Sequence, residues 1–176
     1  MERAPLGPLF YESGRQGTRF GILFTCMSAC LLYSLQIGAL SLLLVILGSL
    51  AMLYLPFALA KVARVNQAYS GFAALWMSGI VMYICGALIC SLLTLIFLLF
   101  LEPGYLDEYV RNLVEQIMAQ PNAPKPDLKD LVIPTPMEFV SSMFWATGFF
   151  GSLLSLVLAL ILPHTGFFRR IVVKLQ

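Results

Sequence analysis

Three long stretches of this chain contain no Asp, Glu, Lys or Arg at all: Phe20 to Ala60, Val65 to Leu101 and Phe139 to Pro163. Segments of that length without a charge belong in a bilayer rather than in a soluble core. Histidine is almost missing too. His164 is the only one, so neither a two-imidazole metal site nor a His-paired nucleophile relay built from two histidines can be assembled. The apolar runs also lack the titratable groups with which ion-coupled transporters and proton pumps bind their cargo. No GxSxG, HExxH, Walker-type loop or nucleotide fingerprint occurs. Between Glu102 and Glu138 there is no cysteine, which excludes a disulfide framework there. With no acid/base pair to nominate, the expectation is a non-enzymatic protein with no catalytic, cofactor-binding or metal-binding residues and no nucleic-acid partner.

What is present is hydrocarbon. Of 176 residues, 60% are hydrophobic and 11% charged, where soluble domains carry roughly a quarter charged residues. The reading is one all-α integral membrane domain over 1–176. As a single helix, Phe20 to Ala60 would run about 60 Å, twice the hydrocarbon thickness, so it must fold back. Gln36, Gly38 and Ser41 supply the turn-tolerant residues for that reversal. This predicts four transmembrane helices, over about 19–37, 40–60, 72–101 and 138–162, the third ended by Glu102, Pro103 and Gly104.

Charge then orients the spans. Eight basic residues lie before the first span, after the second span and at the end of the chain, opposed only by Glu2 and Glu12. The segment from Glu102 to Glu138 holds three basic residues against seven acidic ones. Positive charge stays on the cytoplasmic side, so both termini are expected inside and the 102–138 loop outside, periplasmic in a bacterium. Lys61, Arg64, Arg169, Arg170 and Lys174 form the expected inner basic anchor, suited to anionic lipid or an acidic partner. Neither signal-peptide cleavage nor lipoprotein processing at Met27-Ser28-Ala29-Cys30 is expected, because the sequence continues apolar beyond each.

Within the outer segment, Leu106, Tyr109, Val110, Leu113 and Ile117 recur at helical spacing and predict an amphipathic helix over 104–119, interfacial or packed on the rim of the spans. Half of the ten prolines fall between Pro121 and Pro136, so 120–137 reads as an extended tether. Small residues at four-residue spacing, Thr147, Gly151, Ser155 and Ala159, and again Cys26, Cys30, Ser34 and Gly38, let helix backbones approach closely. Cys26 and Cys30 share a helix face but read as packing residues rather than metal ligands. Pro56 would free the carbonyl of Met52, either as a kink or as part of a backbone-lined site. Gln36, Tyr54 and Tyr83 are candidates for lining a polar cavity.

The N-terminal Tyr11-Glu12-Ser13-Gly14-Arg15-Gln16-Gly17-Thr18-Arg19-Phe20, together with Pro56-Phe57 and Arg64, Tyr69-Ser70-Gly71-Phe72 and Glu102-Pro103-Gly104-Tyr105-Leu106, resembles a family of four-span bacterial membrane proteins typical of Bacteroidota. That family is domain-of-unknown-function family four-one-nine-nine. The resemblance implies an inner-membrane location and brings no catalytic residue. The functional expectation is a scaffold, assembly or regulatory subunit of a membrane complex, linked by analogy to envelope or lipid-linked-sugar metabolism. Its partners would be the lipid bilayer and either another membrane protein or a second copy of the chain. The alternative is a small carrier or flippase for a lipid or uncharged solute.

Overall fold

The computed structural model describes residues 6–65, 70–119 and 133–165, and all regular structure among them is helical. Helix α1 spans Leu6–Tyr33, α2 Gly38–Val65, α3 Phe72–Ile96, α4 Tyr105–Ala119 and α5 Pro136–Ile161. A π-helical turn, Phe97–Leu101, prolongs α3, and a 3-10 turn, Leu162–His164, prolongs α5. Three of these, Gly38–Val65, Phe72–Leu101 and Pro136–His164, are long and apolar enough to cross a membrane. The protein is thus all-helical with the character of a multi-pass membrane protein.

Helix α1 differs from the other long helices. Its apolar part, from Phe20 onward, is preceded by Glu12, Arg15, Gln16 and Arg19 within the same helix, well upstream of the expected span start. The polar part holds itself together at helical spacing: Gln16 donates to Glu12 at 2.6 Å, and Arg15 pairs with Glu12 at 3.8 Å. The reversal into α2 comes at Ser34 to Ile37, slightly before the Gln36–Ser41 stretch that composition favoured. The Tyr33 carbonyl accepts from the amides of both Gln36 and Ile37, and the Ser34 hydroxyl donates to the Leu31 carbonyl at 2.7 Å. Ser41 belongs to the first turn of α2, where its hydroxyl donates to the Gly38 carbonyl.

Pro56 lies inside α2 with helix on both sides. Burial divides this helix in two. Leu55, Ala58, Leu59, Ala60, Val62 and Ala63 are buried, whereas Leu42, Val45, Ile46, Leu50 and Leu53 are exposed. In water such exposure would be costly, but lipid tails are as apolar as leucine, so a lipid-facing half is stable.

At the far end of α3 the chain reverses through Pro103 and Gly104. Gly104 has φ +90, the left-handed region that glycine enters without penalty. Helix α4 then docks by its first turn. Tyr105 and Leu106 join Leu32, Leu98 and Val140 in a small core, and the Tyr105 hydroxyl donates to the Leu32 carbonyl at 3.0 Å. Burial is the main reason the Tyr105 phenol is raised above the ordinary tyrosine range, with Tyr33, Glu108 and Glu102 adding to it. Helix α5 opens with a capping box: Thr135 accepts from the Glu138 amide, the Glu138 carboxylate accepts from the Thr135 amide, and Pro136 fills the first turn.

The long helices pack side by side in the order α2, α1, α3, α5. Helices α1 and α3 run parallel, since Gly17 faces Met82 and Cys85, Gly21 faces Ile89, and Ser28 bonds Thr94 at 3.0 Å. Helix α5 runs antiparallel to α3, with Tyr83 at Gly151 and Gly79 at Ser155. Arg15, Arg19, Lys61 and Arg64 are therefore gathered at one end of the packed helices. Glu102, Asp107, Glu108 and Glu138 lie at the other.

Candidate functional site

Because α2 grips its neighbours through its C-terminal half and has almost no direct contact with α5, a lateral cleft is left between the two helices. Its volume is about 830 Å³. Helix α1 contributes Phe24, Met27 and Leu31, α2 contributes Leu44, Gly48 and Met52, and α5 contributes Met143, Phe150, Leu154 and Val157. Tyr83 and Cys90 of α3 form part of its wall.

Two of the four hydroxyl-bearing residues in this wall, which also include Tyr83 and Thr147, are bonded within the protein. Ser28 is bonded to Thr94, and Ser49 donates to the Val45 carbonyl at 2.9 Å. What the cleft presents is hydrocarbon and aromatic surface. The Tyr83 ring is stacked on Phe20 and Phe24, at centroid separations of 5.7 and 5.6 Å. It is also seated on Gly151, where any side chain would collide with it.

One of the two small-residue stripes forms a helix contact. Gly151, Ser155 and Ala159 are buried, and the Ser155 side chain fills the space that a side chain on Gly79 would need. Thr147, half-buried, lines the cleft instead. The second stripe is not brought to one face: Cys26 is exposed, Cys30 buried, Ser34 lies in the turn and Gly38 begins α2. For Ser34 and Gly38 the reason is that α1 ends at Tyr33, so the four-residue rhythm runs out of helix. On α1 the close approach to α3 is made by Gly17 and Gly21, where a Cβ would lie 2.7 Å from the Cys85 Cβ and 2.8 Å from the Ile89 Cβ. Their Gly-x-x-x-Gly spacing was the signal for this contact.

Gln36, Tyr54 and Tyr83 do not share a cavity. Gln36 is exposed in the α1–α2 turn, and Tyr83 lines the cleft. Tyr54 belongs to a polar cluster at the basic end, donating to Gln16 at 2.9 Å and accepting from Arg19 at 3.3 Å. The register explains this: Gln36 precedes α2 and Tyr54 lies past its midpoint, about 27 Å further along at 1.5 Å per residue. Gln16, only 1% exposed, went unnoticed in the sequence because nothing in its neighbourhood marks it as buried.

On α4, Leu106 is buried, Tyr109 and Val110 are half-buried against the core around Tyr105, Ile117 is half-buried, and Leu113 is 38% exposed. Burial raises the Tyr109 phenol. Lys61 and Arg64 close α2 at the basic end. Arg169, Arg170 and Lys174, and the part of the proline-rich tether from 120 to 132, lie outside the described residues.

A family model for a protein of unknown function, DUF4199, matches residues 17–163. The chain belongs to the DUF4199 family. The matched stretch of this DUF4199 protein takes in Gly17 and Gly21, the whole cleft and the capping box of α5. No curated protein and no solved structure matches the chain significantly.

Proposed function

We propose that this DUF4199 protein is a non-catalytic, four-span protein of a bacterial inner membrane that holds the hydrocarbon chain of a lipid in the cleft between α2 and α5, as a carrier or presenting protein. The observation that carries the reading is the cleft itself. Its volume of about 830 Å³ falls in the roughly 300–1,000 Å³ range of small-ligand sites. It opens sideways between two helices that face hydrocarbon, where lipid chains are the surrounding solvent. Its uncharged lining suits a chain and offers nothing to an ion.

Gly48 gives access to a test. A side chain there would meet only the Met27 methyl, at 3.7 Å, and would otherwise project into the cleft. Gly48→Phe should lower retention of a spin-labelled fatty-acyl probe by at least about tenfold while leaving the melting temperature in detergent undiminished. Undiminished retention in a folded Gly48→Phe protein counts against the reading.

The fourth span in this proposal is α1. Its register beside α3, in parallel from Gly17 to Ser28, supports placing it across the same bilayer. Arg15, Arg19, Lys61 and Arg64 at one end support a cytoplasmic assignment for that end, with α4 as an amphipathic helix outside. An impermeant thiol reagent applied to intact cells should label a cysteine placed at Asp107 and leave one at Lys61 unlabelled. Labelling of both from one side would remove this topology.

A scaffold or assembly role is the second reading. It is favoured by Trp145 and Phe149, which are 70% and 64% exposed at i, i+4 on α5 and offer an aromatic face to a neighbouring helix.

A further inference from the structure

At the basic end of the packed helices two cations converge on one phenol. Arg19 donates from Nη1 to the Tyr54 hydroxyl at 3.3 Å, and Lys61 places its Nζ 5.7 Å from the centroid of the same ring. The hydroxyl in turn donates to Gln16 Oε1 at 2.9 Å, and Gln16 Nε2 donates to Glu12 at 2.6 Å. Arg19 also reaches Gln16 Oε1, at 3.4 Å. The chain Glu12, Gln16, Tyr54 thus uses up the phenol and orients the guanidinium, and among the described residues the other N–H groups of Arg19 and the three of Lys61 have no hydrogen-bond acceptor.

Among the described residues, neutralisation is incomplete. Glu12 is the only carboxylate at this end among the described residues, and its bonds go to Gln16 and Arg15 rather than to Arg19 or Lys61. Arg64, one turn beyond Lys61, adds a third positive charge, and its buried Nε has no hydrogen-bond partner among the described residues. Held cations without a counter-ion repel one another, and an anion placed between them relieves that repulsion.

We propose that Arg19 and Lys61 form a site for the phosphate of an anionic lipid headgroup. The guanidinium fork matches two phosphate oxygens, and the ammonium supplies a point charge beside it. The position argues for a lipid as the source. Phe20 follows Arg19 and Ala60 precedes Lys61, and each opens or closes a charge-free run, so a phosphate bound here sits at the hydrocarbon boundary. The site stands apart from the cleft and does not need the cleft to be occupied.

Native mass spectrometry of the full protein, in mild detergent doped with phosphatidylglycerol or with phosphatidylcholine, reads the preference directly. The wild type should retain phosphatidylglycerol over phosphatidylcholine by about tenfold or more, the sum expected of two interfacial cations. Arg19→Gln combined with Lys61→Gln should reduce the preference to below about twofold, whereas Arg111→Gln, which removes a cation from the opposite end, should leave it intact. Lys61→Gln alone, which gives up only a ring contact, should lose part of the preference and serves if the double variant melts early. Gly48→Phe should keep the headgroup preference, which separates this site from the cleft. Equal retention by wild type and both Lys61 variants overturns the proposal, as does equal loss in Arg111→Gln. Millimolar inorganic phosphate binding to lipid-free protein as tightly as phosphatidylglycerol would assign the site to soluble phosphate and overturn the lipid.

Discussion

Gly151→Val is expected to loosen α5 from α3 and to cost about 3 kcal/mol, the upper part of the range for overpacked sites. Any Cβ at Gly151 would occupy the position of the Tyr83 ring, close to where the ring joins its own backbone, so the neighbour cannot swing aside cheaply. The ring is further pinned by Phe20 and Phe24. Between helices in lipid there is little hydrophobic force to absorb the misfit, because association depends on close van der Waals contact. Thermal unfolding in detergent measures the effect. Gly148→Val on the same helix is the control, since nothing lies within 4 Å of a side chain there, and it should change stability little. Adding Tyr83→Ala to Gly151→Val should cost less than the two changes separately, because the first removes what the second strikes. Additive losses would mean the two residues do not meet.

Gln16→Leu is the second large effect. Gln16 is buried between Glu12 and Tyr54, accepting from the phenol and donating to the carboxylate. Leucine fills a similar volume but leaves the Tyr54 hydroxyl without its acceptor and the Glu12 oxygen without its donor. Leaving a buried polar group unpaired costs about 1–3 kcal/mol; both groups here are half-buried and each keeps one partner, Arg19 for Tyr54 and Arg15 for Glu12, so a loss of about 1–2 kcal/mol is expected. Tyr54→Phe should cost about 1 kcal/mol, and in the Gln16→Leu background it should cost less, since of its two bonds only the one accepted from Arg19 is left to remove. If Tyr54→Phe is as damaging in both backgrounds, the phenol is held by something other than Gln16.

The parts of this fold that were legible in the sequence are those written in long-range composition. Charge-free runs marked the second, third and last long helices, and Pro103-Gly104 marked the end of the third. The periodicity of Leu106, Tyr109, Val110 and Leu113 marked a helix, observed as α4. The candidate site was much less legible. A cleft arises from where α2 does not touch α5, and no residue type announces a missing contact. The polar cavity expected from Gln36, Tyr54 and Tyr83 failed because it grouped residues by polarity without their depth along the helices. Of the residues grouped by the four-residue stripe rule, Gly151, Ser155 and Ala159 share one uninterrupted helix and lie buried, while Thr147 lines the cleft. Cys26 through Gly38 are divided by a turn. Gly17 and Gly21 were available to the same rule, but they stand beside Arg15 and Arg19, where charge masks a packing motif.

The parallel pairing of α1 with α3 has a consequence for biogenesis on the four-span reading. A close seam joins residues such as Gly17 and Met82, which leave the ribosome far apart in time. The first hairpin then enters the bilayer before α3 exists, resting on the α1–α2 contact alone, and the notches at Gly17 and Gly21 are closed only when the third helix arrives.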